Sequence, residues 1–128
     1  MAAMFAAAAF AATANIDTTK KFQTIDSFTA SDAWSGNFIG KFFDADKKEQ
    51  LAKWLFSQKF GEDGSPEGIG LSLWRVNLGG GTWEQEGADI VPIQRRAESF
   101  LTKDGTKYDW SKAAGQQYFM KKAKEYGC

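Results

Sequence analysis

Residues 69–78, which read IGLSLWRVNL before a run of glycines, have hydrophobic side chains on both faces of a predicted strand. Strand periodicity divides these residues between two faces. One face carries Leu71, Leu73, Arg75 and Asn77, and the other carries Ser72, Trp74, Val76 and Leu78. Apolar residues on both faces are typical of a parallel β/α sheet that is covered on both sides. Polar residues join the first face only near the carboxyl end of the strand, where α/β folds place binding and catalysis.

The remaining segments predict further elements around this strand. Residues 15–28 have β-rich composition without clean alternation and predict one or two strands, followed by a loop over residues 31–41. A helix is expected over residues 47–59, capped by Asp44 or by Asp46, with Glu49 completing a capping box. After a turn-rich connection and the strand come a long loop at 79–95, a short helix at 96–101 and a turn at 104–105. A last helix is predicted from Asp109 to about residue 126, with Gly127 as a left-handed cap.

The predicted order of elements is strand, helix, strand, helix, which is too few elements to complete a β/α fold. Two parallel strands leave both sheet edges open, whereas a closed (β/α)8 barrel has eight units over ~250 residues. The sequence therefore predicts an α/β fold that forms the amino-terminal part of a larger barrel.

Residues 1–14, which read MAAMFAAAAFAATA, form an apolar run that ends in the small-x-small pattern of a secretory cleavage site. The run is too short to span a bilayer, and it lacks the basic segment of a complete signal. The alternative is a frayed alanine-rich helix. We expect a signal peptide and a secreted or periplasmic protein.

The amino-acid composition of the chain excludes several kinds of partner and catalytic site. The 16 basic and 16 acidic residues give a formal net charge of zero, so nothing favours nucleic acid or an anionic membrane as a partner. With no His and a single Cys, Cys128, the chain cannot assemble a Ser-His-Asp site, a common zinc site or an internal disulfide. We expect neither a metal nor a cofactor. Carboxylates, Arg, Tyr and amides remain, which is the chemical repertoire that glycosidases use.

Several residues are candidates for a binding site. Arg75 lies at the carboxyl end of the strand, where its desolvation requires a carboxylate or a ligand, although a structural ion pair would serve equally. Asp32 and Trp34 could offer a hydroxyl acceptor and an aromatic face to a sugar, or form an Asx turn with a packed Trp. Asn77 shares the face of Arg75 and could bond a sugar hydroxyl or cap the loop backbone.

Other motifs are weaker. Glu84 and Glu86 lie in one loop, whereas retaining glycosidases hold two carboxyls ~5 Å apart across the scissile bond, so a solvated loop is the better interpretation. The triplet at 79–81 lacks the Lys and Ser/Thr of a phosphate loop. For three tryptophans we expect packing in the core or in a loop rather than stacking on sugar. These are Trp74, Trp83 and Trp110.

Four long motifs in order carry a family resemblance. FQTIDSFTASDAWS, GIGLSLWRVNLGGGTWEQ, RRAESFL and YDWSKAAGQQYFMKKAKEYG, between residues 22 and 128, resemble the amino-terminal part of glycoside hydrolase family 30. The likeness is greatest to the bacterial endo-β-1,6-galactanase-like branch. One departure concerns the first loop, where Ser27 and Thr29 stand in place of two family glycines, so its backbone geometry is expected to differ.

The resemblance implies a (β/α)8 barrel, begun by residues 25–128, with an accessory β-sandwich whose first strand is residues 15–24. It also implies retaining hydrolysis of a β-glycosidic bond by two Glu residues, after the fourth and seventh barrel strands, which lie beyond Cys128. Arg75 matches the family residue that orients the nucleophile, and Asp32 and Trp34 match the DAW that lines the non-reducing side of the site.

The leading hypothesis is thus a piece of a secreted retaining glycosidase that acts on β-linked polysaccharide, β-1,6-galactan above all. The 128-residue chain is expected to be inactive alone, with a polysaccharide or oligosaccharide and the remainder of its own polypeptide as partners. Two alternatives stay open. The first is a non-catalytic carbohydrate-binding fragment in which Trp34 and Trp83 stack on sugar, and the second is a truncated piece without a stable fold.

Overall fold

The computed structural model describes residues 13–80, 82–84 and 92–128. In chain order the elements are β1 (Thr29–Ser31), α1 (Ser35–Phe42), α2 (Ala45–Phe56), β2 (Leu73–Arg75), a 3₁₀ turn (Ile93–Arg95) and α3 (Ala114–Glu125). Within the described chain this is a small mixed α/β structure with one two-stranded sheet and three α-helices. The α/β class expected from the sequence is confirmed.

β1 and β2 pair in parallel, as the strand-helix-strand order predicts. Ala30 lies opposite Trp74, and Ser31 lies opposite Arg75. The pairing continues past the strand ends, where the Asp32 amide donates to the Arg75 carbonyl at 2.9 Å. The regular strand is nevertheless three residues long, not the ten predicted over 69–78, because a strand extends only as far as its neighbour provides backbone partners.

The two faces of the sheet differ in their cover. Trp74 faces the helices and meets the Phe56 ring edge-on, with ring centroids 5.2 Å apart. Leu73 and Arg75 are exposed on the opposite face, as their predicted alternation requires. Leu71 breaks the alternation and belongs to the core, since it precedes the regular strand. The predicted cover on both faces is therefore present on one face only within the described residues.

The core lies between the sheet and the two longer helices. Its buried members are Ala52, Phe56, Leu71, Phe119 and Ala123. Burying such side chains stabilises the fold by roughly 25 cal/mol for each Å² of apolar surface removed from water. The helices that carry the core, α2 and α3, are the two helices whose existence the apolar spacing predicted.

Three predictions of secondary structure are wrong. Residues 15–28 form no strand, because pairing with the β2 segment begins only at the Phe28 carbonyl, which accepts from the Ser72 amide at 3.0 Å. Residues 96–101 form no helix, and a 3₁₀ turn at Ile93–Arg95 precedes them instead. The predicted loop over 31–41 contains helix α1, whose two glycines, Gly36 and Gly40, have low helix propensity.

Helix α1 is stabilised by its contact with α3. A Cβ added at Gly40 would overlap the Gly115 backbone, and one added at Gly115 would overlap the Asn37 carbonyl. The two helices therefore meet backbone to backbone, which only glycine permits. Tertiary packing thus overrides the poor intrinsic propensity of α1.

The capping predictions for α2 are partly wrong. Asp44 occupies the N-cap position, but its carboxylate binds the Lys47 ammonium at 2.9 Å rather than a helix amide. Glu49 forms no capping box. It instead accepts a hydrogen bond from the Tyr118 hydroxyl at 2.8 Å and pairs with Lys122, which ties α2 to α3.

The predicted start of α3 is wrong, and the predicted cap at its carboxyl end is confirmed. The helix begins at Ala114 rather than Asp109, whose carboxylate accepts a bond from the Ser111 amide in a preceding turn. At the other end Gly127 has φ 86°, as predicted. The Cys128 amide donates to the Ala123 carbonyl at 2.9 Å, completing a Schellman motif.

The predicted signal at residues 1–14 lies almost wholly outside the described residues and stays a prediction, as do the domain boundaries. No helix in the described part of the chain has both the length and the apolar character needed to cross a membrane.

Candidate functional site

A cavity of about 530 Å³ opens at the carboxyl end of β1. The turn after β1, the three α-helices, β2 and the 3₁₀ turn all contribute to its lining. Its lining includes two charged side chains and two tryptophans, namely Asp32, Arg95, Trp34 and Trp74. The cavity thus brings two of the predicted site residues, Asp32 and Trp34, to one place.

Asp32 is buried at the edge of this cavity, with 6% of the residue exposed. Its Oδ1 accepts a hydrogen bond from the Gly36 amide at 2.8 Å, while Oδ2 has no partner among the described residues. Burial raises the pKa of the Asp32 carboxyl above its ordinary value, and the hydrogen bond from Gly36 acts in the opposite direction. A buried carboxylate oxygen without a partner is costly, so this atom is available to a donor that enters the cavity.

The path of the chain explains the position of Asp32. Its amide is fixed by the Arg75 carbonyl, and the next residue, Ala33, has a left-handed φ of 50°. This turn directs the chain into α1, so that the Asp32 carboxylate meets the first turn of the helix. A carboxylate there is also favoured by the helix dipole.

Trp74 supplies a second unpartnered group to the same cavity. Its indole Nε1 is buried and has no hydrogen-bond acceptor among the described residues. The sequence predicted Trp74 in the core, and the structure adds this polar atom.

Trp34 is 38% exposed and packs against a cation that the sequence did not single out. The Arg95 guanidinium carbon lies 5.4 Å from the centre of its ring, within cation–π distance. Arg95 escaped prediction because residues 79–95 have no periodicity and read as an ordinary loop.

Arg75 lies apart from the cavity, on the open face of the sheet. Its Nη1 donates to the Ser31 hydroxyl at 3.1 Å, which is its side-chain hydrogen bond within the described chain. Ser31 also lines the cavity and so connects the two places. A guanidinium has five N–H donors in a planar fork, so this single bond leaves most of them available.

Asn77 and Trp83 lie outside the cavity lining. The Asn77 backbone carbonyl accepts a bond from the Gln116 side-chain amide at 2.7 Å. The Trp83 ring stacks on Phe42 with centroids 6.1 Å apart, and the Lys41 ammonium lies 4.9 Å from its centre. The structure therefore does not gather all five predicted residues into one pocket.

Glu84 is an exposed loop residue, as the sequence predicted, and it also has partners that the sequence did not indicate. Its carboxylate accepts a hydrogen bond from the Ser99 amide at 3.0 Å and pairs with the Lys112 ammonium at 3.1 Å. Glu84 thereby connects the beginning of the segment between β2 and α3 to the end of that segment. Glu86 lies outside the described residues.

Glu98 is a buried carboxylate, 7% exposed, that sequence reasoning missed. It accepts bonds from the Asn37 side-chain amide and the Lys41 ammonium, both at 2.9 Å, and from the Ala113 amide at 2.7 Å. Burial by itself raises the pKa of Glu98, but these three donors outweigh it and the net pKa is lowered. Glu98 thus joins α1 to the amino end of α3. A lone Glu in a segment without periodicity gives no signal of such a role.

The defining sequence pattern of O-glycosyl hydrolase family 30 matches residues 11–128. The chain belongs to this family. It is also similar to a solved structure described as a conserved exported protein from Bacteroides fragilis, at 49% identity and a TM-score of 0.75. That match covers 88% of this chain but 23% of the other, so this family member spans about a quarter of the length of the solved protein. Comparison with the curated proteins gives no match.

Proposed function

We propose that this family 30 chain forms the first part of an exported retaining glycoside hydrolase that cleaves β-1,6-linked galactan. Membership of an O-glycosyl hydrolase family supports a carbohydrate substrate and hydrolysis of a glycosidic bond. The similarity to an exported protein supports export, and the signal-like residues 1–14 agree with it. Galactan as substrate rests on the likeness of the four motifs to the galactanase-like branch.

The observation that carries the proposal is the position of Arg75. It stands at the carboxyl end of β2 on a sheet face that the described chain leaves open, beside the partly exposed Leu73. In barrel enzymes the strand carboxyl ends surround the site, and side chains on the inner face contribute to it. We therefore assign this open face to the interior of a (β/α)8 barrel that later strands complete.

Arg75 would hold the nucleophile of that barrel. A guanidinium binds a carboxylate through two parallel hydrogen bonds and favours its ionised form. The ionised Glu attacks the anomeric carbon while a second Glu gives its proton to the leaving oxygen, and water then hydrolyses the glycosyl-enzyme. Both Glu residues would belong to strands that residues 1–128 do not supply, so these residues by themselves would not catalyse the reaction.

The cavity at the end of β1 would hold the sugar on the non-reducing side. The unpartnered Oδ2 of Asp32 would accept a hydrogen bond from a sugar hydroxyl. Trp34 would contact an apolar sugar face. Asn77 and Trp83, which stand outside this cavity, would contact more distant parts of the substrate.

The domain organisation is part of the proposal. Residues 25–128 would form the first two β/α units of the barrel, and residues 15–24 would pair with an accessory β-sandwich made by later chain. Residues 15–24 form no strand within the described part of the chain, which agrees with partners that lie elsewhere in the polypeptide.

The proposal is tested on the polypeptide encoded by the complete reading frame. We expect hydrolysis of β-1,6-galactan in preference to β-1,4-galactan, with the β configuration of the first product retained by NMR. The substitution Arg75→Ala should lower kcat by ~100-fold or more, since the nucleophile loses its charge partner. Arg75→Lys should recover part of this loss by restoring the charge without the fork.

The exposed Lys124→Ala variant is the matched control, since it removes a cation from the far end of α3. Unchanged turnover in Arg75→Ala would rule out the role of Arg75. Saturable binding of galactan without any hydrolysis would instead favour a non-catalytic carbohydrate-binding protein.

A further inference from the structure

Tyr108 and Trp110 form an exposed aromatic pair in the loop between β2 and α3. Their ring centroids lie 5.6 Å apart with the planes 22° from parallel. Tyr108 is 69% exposed and Trp110 is 65% exposed. The sequence predicted Trp110 in the packing of α3, but that helix begins four residues later. Two large rings are therefore left open to solvent at positions where helix packing does not use them.

The pair is held by backbone hydrogen bonds on both sides. Tyr108 forms an antiparallel bridge with Leu101, which closes a short hairpin. The Asp109 amide, between the two rings, donates to the Phe100 carbonyl at 2.7 Å, and the Gln117 side chain donates to the Trp110 carbonyl at 2.8 Å. Because the backbone is fixed in this way, a ligand would meet rings that are already ordered, which lowers the entropy cost of binding.

A third ring supports Trp110 from within the hairpin. The Phe100 ring lies 5.4 Å from that of Trp110, tilted by 46°. Phe100 is half-buried, so it anchors the exposed pair to the body of the loop. The result is an aromatic surface on a short hairpin whose backbone is held in place by hydrogen bonds.

The charge of the hairpin restricts the kind of ligand. Residues 101–110 carry two Lys and two Asp, which cancel. An aromatic platform for single-stranded nucleic acid stands in a positively charged groove, which is lacking here. A neutral saccharide needs no such field, because its apolar C–H face packs on an aromatic ring by dispersion and burial of surface.

The place of the hairpin in the chain indicates where such a saccharide would bind. It belongs to the segment that leaves β2 at Arg75 and returns at the start of α3, and the loops of this type gather at the carboxyl ends of barrel strands. Neither ring lines the cavity beside Asp32. The pair is therefore a separate area from that cavity.

We propose that Tyr108 and Trp110 form a platform for a neutral polysaccharide chain, remote from the bond that is cleaved. This inference rests on the proposed function, since it takes the substrate to be a polymer. Later polypeptide packed over the rings is the competing occupant. The same hairpin carries three exposed charged residues, Lys103, Asp104 and Lys107, whose burial under later polypeptide would be costly.

The test compares a soluble galactan with a small aryl galactoside in the complete polypeptide. Trp110→Ala should raise KM for the polymer roughly five- to tenfold, because the polymer loses an aromatic side chain that anchors it. The same variant should leave kcat/KM for the small substrate unchanged. Trp110→Phe should recover most of the affinity because it restores a ring. Lys103→Ala, in the same hairpin, is the matched control and should leave both substrates unaffected.

Each other outcome would overturn the platform. An equal loss on both substrates would place Trp110 in the structure of the active site, and no loss on either would remove its role. Shielding of Trp110 from acrylamide in the complete polypeptide, seen as a Stern–Volmer slope that does not fall in Trp110→Ala, would show that later chain covers the rings.

Failure of the proposed function gives a different result. The unmodified polypeptide would then hydrolyse neither the polymer nor the aryl galactoside. The platform would still be measured by the retardation of the protein in a native gel that contains galactan. Retardation that Trp110→Ala abolishes and Lys103→Ala preserves supports the platform, whereas equal mobility of all three proteins rejects it.

Discussion

The side-chain amide of Asn37 donates to the carboxylate of Glu98 at 2.9 Å, across 61 residues of sequence. The same Asn37 accepts a bond through its Oδ1 from the Gln116 amide in the first turn of α3. Ala113 occupies the N-cap position of that helix and has no side chain able to cap it, so Asn37 and Glu98 satisfy these amides from outside. The start of α3 thus depends on residues far from it in sequence.

Glu98→Ala should destabilise the protein by roughly 2–4 kcal/mol, because it leaves the Lys41 ammonium, the Asn37 amide and the Ala113 amide without their shared acceptor. Urea unfolding followed by circular dichroism measures the change. Glu62→Ala, in an exposed turn, is the matched control and should stay within ~0.5 kcal/mol of the parent. Equal midpoints for the two variants would contradict the role of Glu98.

Glu98 should also contribute to loss of stability in acid. Its pKa in the folded protein lies below the ordinary value of 4.5, so the folded state binds this proton less readily than the unfolded state. The contribution is therefore complete above pH 4.5 and declines as the pH falls through the folded pKa. Unfolding free energies measured between pH 6 and 3 should fall less steeply for Glu98→Gln than for the parent. Parallel curves would show that Glu98 has no part in the acid response.

Asp32 should have the opposite effect on stability. Burial raises its pKa above the ordinary value of 3.8, so ionised Asp32 opposes folding at neutral pH, and stability falls as the pH rises through the folded pKa. Asp32→Asn keeps an acceptor for the Gly36 amide and removes the buried charge. We expect a higher melting temperature at pH 7 and a smaller gain near pH 3.

The matched control for Asp32→Asn is Asp63→Asn, because Asp63 is exposed and hydrogen bonds from Ser65 lower its pKa. It should show no gain in melting temperature at pH 7. A lower melting temperature for Asp32→Asn at neutral pH would mean that its ionised carboxylate stabilises the fold. Loss of activity in the more stable variant would fit a residue kept for binding at a cost in stability.

Gly115→Ala should disrupt the contact between α1 and α3. The added Cβ would overlap the Asn37 carbonyl, which belongs to the backbone and has little freedom to shift. We expect a loss of ~3 kcal/mol or failure to fold, measured by chemical denaturation. Gly80→Ala is the control, since its Cβ would come no closer than 3.9 Å to the Ala97 Cβ. Similar stability of the two variants would show that the helices can separate without cost.

The sequence by itself determined the α/β class, the parallel sense of the strands and the existence of α2 and α3. Each follows from a local pattern, namely apolar spacing, strand order and a cap such as Gly127. The alternation over Leu73, Trp74 and Arg75 also predicted that Trp74 lies on the opposite face from the other two. Local patterns are reliable for these features because the backbone geometry of a strand or helix fixes the spacing of its buried face.

Only the tertiary structure decided the rest. Helix α1 forms against its own propensity because Gly40 and Gly115 allow close contact with α3. Asp32 is buried by its turn into α1, and Glu98 by partners on two other elements. Trp110 is exposed because α3 starts later than its apolar spacing predicted. In each case the deciding contact joins residues whose separation leaves no periodic trace in the sequence, so it is set by packing and by satisfaction of buried polar groups.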